Sequence, residues 1–259
     1  MESKLYRIRE FINPTDNHSL IVDTSKGLSF GALPGLERFA AAIRPVLPLL
    51  DGLVTSPGQV RRLADRTRTD AGLLVRADWT NALRVNDFVL PPETIHYMLL
   101  VDPIDAQDLG SSGMVINFLL GFEEEIESQC MHNTVQLAFN GSQIGLPLII
   151  DLQPIGSRIV LRSKAIELGV SYALEGGADG IAIPWPGEES FKTIVTMAAE
   201  VPIWVKPETL DPNSIETATA LEIGAVGIWL DERVFSDPVP TELIQQFSTR
   251  VHAQMLETV

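Results

Sequence analysis

The chain has 259 residues, 45% of them hydrophobic, with a formal net charge of −15 at pH 7. That supplies a sizeable core, and so acidic a surface repels nucleic acid and anionic membranes, so neither is an expected partner. No apolar run approaches the roughly 18 residues of a membrane span, the stretch MESKLYRIREFINPTDNHS lacks the apolar centre of a signal peptide, and the single Cys130 excludes an internal disulfide; a cytoplasmic protein is expected.

Short apolar runs alternate with helical patterns, the signature of βαβ units around a parallel sheet. In chain order, SLIVDTS (19–25) reads as a strand and Leu36–Leu49 as a helix. LDGLVTS (50–56) is followed by a helix over Gln59–Arg68, and GLLVRAD (72–78) is the third strand. The segment from Asp78 to Asp108 is too long for one simple connection; it predicts an excursion, then a short strand YMLLV and a short helix PIDAQDLG. GMVINFLL (113–120) precedes a long helix over Glu123–Ile144, and PLIIDLQ (147–153) one over Ser157–Glu175. DGIAIPW (179–185), PIWVKP (202–207) and AVGIWLD (225–231) lead into helices Glu188–Glu200, Pro212–Ile223 and Pro240–Leu256. Fully apolar strands are buried on both faces, as parallel strands are. The phrases LEGGADGI and LEIGAVGI each end a helix on a left-handed glycine and turn directly into a strand. The expectation is α/β, a (β/α)8 barrel forming one domain over 1–259, with an excursion at about 78–108.

In such a barrel the site lies at the C-terminal ends of the strands. Asp23, Asp151 and Asp231 each end a strand there. Grouped carboxylates do acid/base work or hold a divalent cation; alternatively each caps the loop that follows. His18, His96, His132 and His252 show no ligand spacing, so neither metal nor cofactor is expected. Lys206, at the end of the seventh strand, either balances these acids, which raises its pKa, or acts as a nucleophile if a dry pocket lowers it. Lys26 reads as a surface loop charge, Trp204 as packing, and Trp185 as a ring overhanging the mouth. FEEEIESQ (122–129) reads as a solvated helix start.

Four stretches carry a family resemblance: IVDTSKGLSFGALPGLE (21–37), GLVTSPGQVR (52–61), GADGIAIPWPGEESFKTIV (177–195) and GAVGIWLDERVF (224–235). From about Leu20 to Phe235 the chain resembles the archaeal-type class I fructose-bisphosphate aldolases, whose superfamily includes deoxyribose-phosphate aldolase. The resemblance implies an aldolase-type barrel and a lyase that joins a lysine amine to a small carbonyl compound, with acids and a tyrosine moving protons. It also implies a homo-oligomer. The family's sixth-strand Schiff-base lysine aligns with Ala182, and its fifth-strand tyrosine with Gln153. The phosphate loop after the seventh strand reads VKPETL, and the eighth strand's Gly-Arg pair reads Asp231 and Glu232. Arg233 stands one residue further on and points inward only if the strand end bulges. Asp23 keeps the first-strand acid, Gly187 keeps the loop glycine, and the deoxyribose-phosphate branch has a seventh-strand lysine where Lys206 stands.

Two functions stay open. The first is a Schiff-base enzyme with Lys206 as nucleophile, Asp23 moving protons or orienting substrate, and Asp151, Gln153, Trp185, Gly187, Asp231 and Arg233 around the substrate. The second is a barrel that has lost the reaction and binds a ligand or another protein.

Overall fold

The computed structural model describes residues 2–64, 71–84 and 87–253. Eight parallel strands close a barrel: β1 (Ser19–Asp23), β2 (Gly52–Thr55), β3 (Gly72–Arg76), β6 (Gly113–Leu120), β7 (Leu148–Pro154), β8 (Gly180–Pro184), β9 (Ile203–Lys206) and β10 (Gly227–Leu230), the last pairing back onto β1. Between β3 and β6, the strands β4 (Asp78–Thr80) and β5 (Tyr97–Leu99) form a separate antiparallel pair. Helix α1 (Glu2–Ile8) precedes the barrel. After it come α2 (Gly27–Phe30), α3 (Phe39–Ile43), α4 (Pro57–Ala64) and α5 (Pro103–Asp108). The large helices follow the later strands: α6 (Glu124–Ile144), α7 (Arg162–Glu175), α8 (Glu188–Ala198), α9 (Ile215–Ile223) and α10 (Pro240–His252).

The helix expected over Leu36–Leu49 is broken into α3 and a 3-10 turn at Leu47–Leu49. Pro45 and Pro48 lack the N–H groups an uninterrupted helix needs. The expected ends of two other helices, beyond Ala64 and at 254–256, lie outside the described residues. The excursion appears as expected, with β5 and α5 in the places read from YMLLV and PIDAQDLG. The helix-ending glycines in left-handed or extended positive φ are Gly177 (87°) and Gly224 (130°).

Alternation along the strands sorts the interior into layers. One inward layer is apolar: Ile21, Val54, Leu74, Val115, Ile149, Ala182, Trp204 and Trp229, packed with Phe11. The Trp204 and Trp229 rings meet edge-on at 6.3 Å, and Phe11 lies 6.0 Å from Trp204. These rings need small neighbours: a Cβ on Gly180 would stand 2.8 Å from the Trp204 ring, and one on Gly72 would stand 2.8 Å from Phe11. Trp204 is therefore packing, as read from the sequence. Two residues further along the same strands, the alternation delivers Asp23, Arg76, Asn117, Asp151, Lys206 and Asp231 to the C-terminal mouth.

Candidate functional site

The deepest feature of the mouth is Arg76, 3% exposed at the end of β3. Its Nη2 donates to Asp23 Oδ2 at 2.6 Å and to Asp151 Oδ2 at 2.8 Å, and its Nε donates to Ser25 Oγ at 2.9 Å. Burial opposes the Arg76 charge, but Asp23, Asp151 and Asp78 outweigh it and raise the guanidinium pKa. Asp23 is filled on both sides, since its Oδ1 accepts from the Ser25 amide and hydroxyl. Asp78 starts the excursion and is 1% exposed. Its Oδ2 accepts from the backbone and side-chain nitrogens of Asn117 at 3.0 and 2.8 Å. Burial pushes the Asp78 carboxyl up to about 6, against the pull of Arg76 and Asn117.

Lys206 points into the mouth. Its Nζ donates to Asp151 Oδ1 at 2.5 Å and to the Leu152 carbonyl at 2.8 Å. β8 lies between β9 and β7, so the lysine stem crosses β8, whose register places Ala182 opposite Asp151 and Pro184 opposite Lys206. The side chain as a whole is 19% exposed, while the amine itself is held inward by Asp151 and the Leu152 carbonyl. The sequence reading held that an ion-paired lysine is raised in pKa; here burial dominates the pairing with Asp151, and the Lys206 amine is lowered, with Lys26 and Arg76 pushing the same way. Burial alone would raise the Asp151 carboxyl, but Lys206 and Arg76 overcome that and hold it at about 2. Gln153 donates to the same Asp151 Oδ1 at 3.0 Å.

A second, shallower cluster lies on the β10 side. Lys26 sits 3.4 Å from Asp231 and 3.2 Å from Glu232, so it is a mouth residue rather than the surface charge expected. Burial pushes Glu232 up, whereas Lys26 and Arg233 overcome burial at Asp231 and lower it. Asp231 caps the following 3-10 turn through the Arg233 amide. Arg233 does not enter the mouth. Its Nε holds Asp231 at 2.8 and 2.9 Å, and its terminal nitrogens reach the carbonyls of Glu208 and Pro207.

Two other residues lie apart from both clusters. Trp185 packs against Phe191 of α8 at 5.4 Å and against the core outside the barrel, so it does not overhang the mouth. Gly187 starts α8 with φ 91°, a loop position suited to glycine. No tyrosine replaces the proton donor missing at Gln153: the Tyr97 hydroxyl donates to the Asn117 carbonyl at 2.9 Å, Tyr172 packs near Phe118, and Tyr6 is exposed. Among the described residues no cluster of His, Cys, Asp and Glu is arranged to hold a metal ion, and no helix is long and apolar enough to cross a membrane.

The excursion roofs the β1–β3 side. The Trp79 indole donates to the Leu28 carbonyl at 2.9 Å, Ser29 Oγ donates to the Thr80 carbonyl at 2.7 Å, and Arg84 Nε donates to the Ser29 carbonyl at 2.9 Å. Beneath this roof is a cavity of about 10 Å³ bordered by Arg76, Asp78, Asn117 and Asp151.

No family model matches the chain. Among curated proteins it is similar to the 3-hydroxy-5-phosphonooxypentane-2,4-dione thiolase of Escherichia coli, 25% identical over 97% of this chain and 82% of that protein. An uncharacterized aldolase of Pasteurella multocida is 24% identical over 95% of this chain and 81% of that protein. Among solved structures, an archaeal fructose 1,6-bisphosphate aldolase superposes with a TM-score of 0.78 at 18% identity, over 97% of this chain and 99% of that one. The chain has the fold of the aldolase-type (β/α)8 barrels.

The departures from the residues that the resemblance implies have physical reasons. The position that aligns with the Schiff-base lysine, Ala182, is fully buried in the apolar layer beside Trp204, and Lys206 crosses the same strand from β9. The Gly-Arg position is occupied by two carboxylates gathered around one lysine.

Sequence reading missed Arg76, Asp78 and Asn117. The signal was present in GLLVRAD. A charge that ends an apolar strand two residues after the inward Leu74 must also point inward, and a buried arginine requires carboxylate partners. Which acids would supply them was not readable, because Asp23, Asp78 and Asp151 come from three distant stretches.

Proposed function

We propose that this protein is an aldolase-type enzyme that condenses Lys206 with a small carbonyl compound lacking phosphate. The supporting observation is the Lys206 amine itself: inward, on a side chain that is partly exposed, lowered in pKa by burial and seated on an ionised carboxylate. The lysine amine gives up a proton and adds to the carbonyl carbon, and return of that proton with loss of water gives an iminium that withdraws electrons from the adjacent carbon–carbon bond. Asp151 is held too low to act as a base near neutral pH, so its role is to stay ionised and stabilise the positive nitrogen. Asp23, saturated by Ser25 and Arg76, acts as a positioning residue for Arg76, and Gln153 orients Asp151.

The Escherichia coli relative is named for a phosphorylated dione. Against phosphate here stand Asp231 and Glu232 at the strand-ten rim and an Arg233 turned outward onto backbone carbonyls. The same reading includes one barrel domain over 1–259 in the cytoplasm and self-association, against which a monomeric mass by light scattering at micromolar concentration would count.

The test is borohydride trapping with hydroxyacetone, dihydroxyacetone and fructose 1,6-bisphosphate. An adduct mapped by mass spectrometry to Lys206, absent in Lys206→Met, and formed with the unphosphorylated ketones supports the reading. No adduct with any of them overturns it. That second result would favour a barrel that only binds, which the roofed mouth and the pairing of Lys206, Arg76 and Lys26 with carboxylates also support.

A further inference from the structure

The Arg76 guanidinium carries five N–H donors. Three are used, one by Ser25, one by Asp23 and one by Asp151. Nη1 makes no hydrogen bond within the protein although the residue is 3% exposed. Asp78 mirrors it: Oδ2 is filled by Asn117, while Oδ1 makes no hydrogen bond in a residue that is 1% exposed. The two unsatisfied atoms stand 3.8 Å apart, too far for a hydrogen bond between them. Both residues border the cavity of about 10 Å³, close to the space one water-sized group needs. Leu28, Trp79 and Leu83 give it an apolar wall, and Ser25, Lys26, Ser29 and Thr80 line it as well. So the pair offers the two N–H groups of Nη1 and one acceptor, Oδ1, beside a cavity the size of one small polar group.

We propose that Arg76 and Asp78 form a subsite for a single hydroxyl-type oxygen, filled by water in the ligand-free protein and by a hydroxyl of the carbonyl substrate in the complex. Only a group that both accepts and donates satisfies the pair. A carbonyl oxygen accepts from Nη1 and leaves Oδ1 unpaired; an ammonium does the reverse; a phosphate exceeds the cavity and meets Asp78 as a like charge. The raised Asp78 pKa agrees with an under-solvated carboxylate. Asp151 joins the subsite to the amine, since one of its oxygens holds Lys206 and the other holds Arg76. The substrate class that follows is a hydroxylated ketone or aldehyde. The water half stands alone; the substrate half rests on Lys206 being the condensing amine.

Two measurements test it. A crystal structure of the ligand-free protein should show one ordered water within hydrogen-bond distance of both Nη1 and Oδ1. Side chains closed onto each other with no density between them would overturn the subsite, whatever the trapping result. Borohydride trapping at Lys206 should favour hydroxyacetone over butanone by on the order of 10,000-fold, since a site built for a hydroxyl rejects an analogue lacking it. Asp78→Asn, which can still accept from Asn117, should reduce that ratio to a few-fold while preserving an adduct. An adduct with equal rates for the two ketones overturns the substrate assignment and leaves a water site. No adduct on the wild type sinks the Lys206 reading, and with it the substrate half, while the crystal structure still decides the site.

Discussion

The barrel mouth holds two clusters of the same residue types at different depths. The deep one joins Arg76 and Lys206 to Asp23, Asp78 and Asp151, with Arg76, Asp23 and Asp151 side chains each no more than 4% exposed. The rim one joins Lys26 and Arg233 to Asp231 and Glu232, and there Arg233 is 50% exposed. In the deep cluster a lost partner leaves a charge with neither water nor counter-ion. At the rim, water and salt take the place of whatever is removed. The chemistry proposed for Lys206 depends on depth for the same reason, because poor solvation is the largest of the effects that pull this amine below its ordinary pKa.

The largest expected break in that comparison is Arg76→Leu. It strands Asp23, Asp78 and Asp151 together, and breaking a buried pair costs about 3–5 kcal/mol. Urea unfolding should show that loss, and Arg76→Lys should recover only part of it, because one ammonium cannot hold the Ser25, Asp23 and Asp151 contacts in the same geometry. A change below about 1 kcal/mol in Arg76→Leu would mean that the cluster is solvated, and would remove the contrast between the two clusters.

Next comes Ala182→Lys, which places the family's lysine in its aligned position. The site is fully buried beside Trp204, in a layer already filled by aromatic rings. Overpacking there costs about 1–3 kcal/mol, and the added charge costs more unless it deprotonates. The expected outcome is a less stable protein with no cleavage of fructose 1,6-bisphosphate in a coupled assay, since Gln153 still lacks an acidic proton and Asp231 and Glu232 still face the phosphate.

The deep cluster should also leave a pH signature of two opposite signs. Asp151 falls from an ordinary 3.8 to about 2 in the fold, so its contribution, on the order of 2 kcal/mol, is present above pH 4 and is lost as pH falls towards 2. Asp78 rises from 3.8 to about 6, so its contribution is present below pH 4 and is lost as pH rises through 6. Stability measured by denaturation should therefore increase from pH 7 to about 5 and decline below 4. Asp78→Asn should reduce the increase and preserve the decline, the remainder belonging to Glu232 and His252, which the fold also raises. An unchanged increase in that variant would assign it to another group.

The smallest effect belongs to the rim. Arg233→Ala should cost less than about 1 kcal/mol, and what it costs should shrink in 1 M salt, whereas the Arg76→Leu loss should persist. Phosphate titrated into the wild-type protein and followed by calorimetry should give no heat of binding at this rim. A measurable affinity abolished by Lys26→Met would show instead that Lys26 outweighs its two carboxylates.

Much of the architecture was determined by the sequence alone. Eight apolar runs separated by helical patterns leave little alternative to parallel strands buried on both faces, and the period of two put Asp23, Asp151, Lys206 and Asp231 at one end of the barrel. The resemblance of GADGIAIP implies that Ala182 stands where the aldolases carry their lysine, and the fold buries it in the apolar layer. Tertiary structure decided the rest, because it depends on which distant strands become neighbours. Trp185 faces α8 rather than the mouth because the turn after β8 carries its ring onto Phe191. Lys26 is drawn from its loop to the rim because β10 delivers two carboxylates beside it. Arg76 became the centre of the site only when closure of the barrel brought Asp23 and Asp151, 53 and 75 residues away along the chain, within reach of one guanidinium. Burial, which local sequence does not carry, then set the sign of the Lys206 shift: an ion pair in water raises a lysine, but the same pair at this depth does not repay what desolvation takes away.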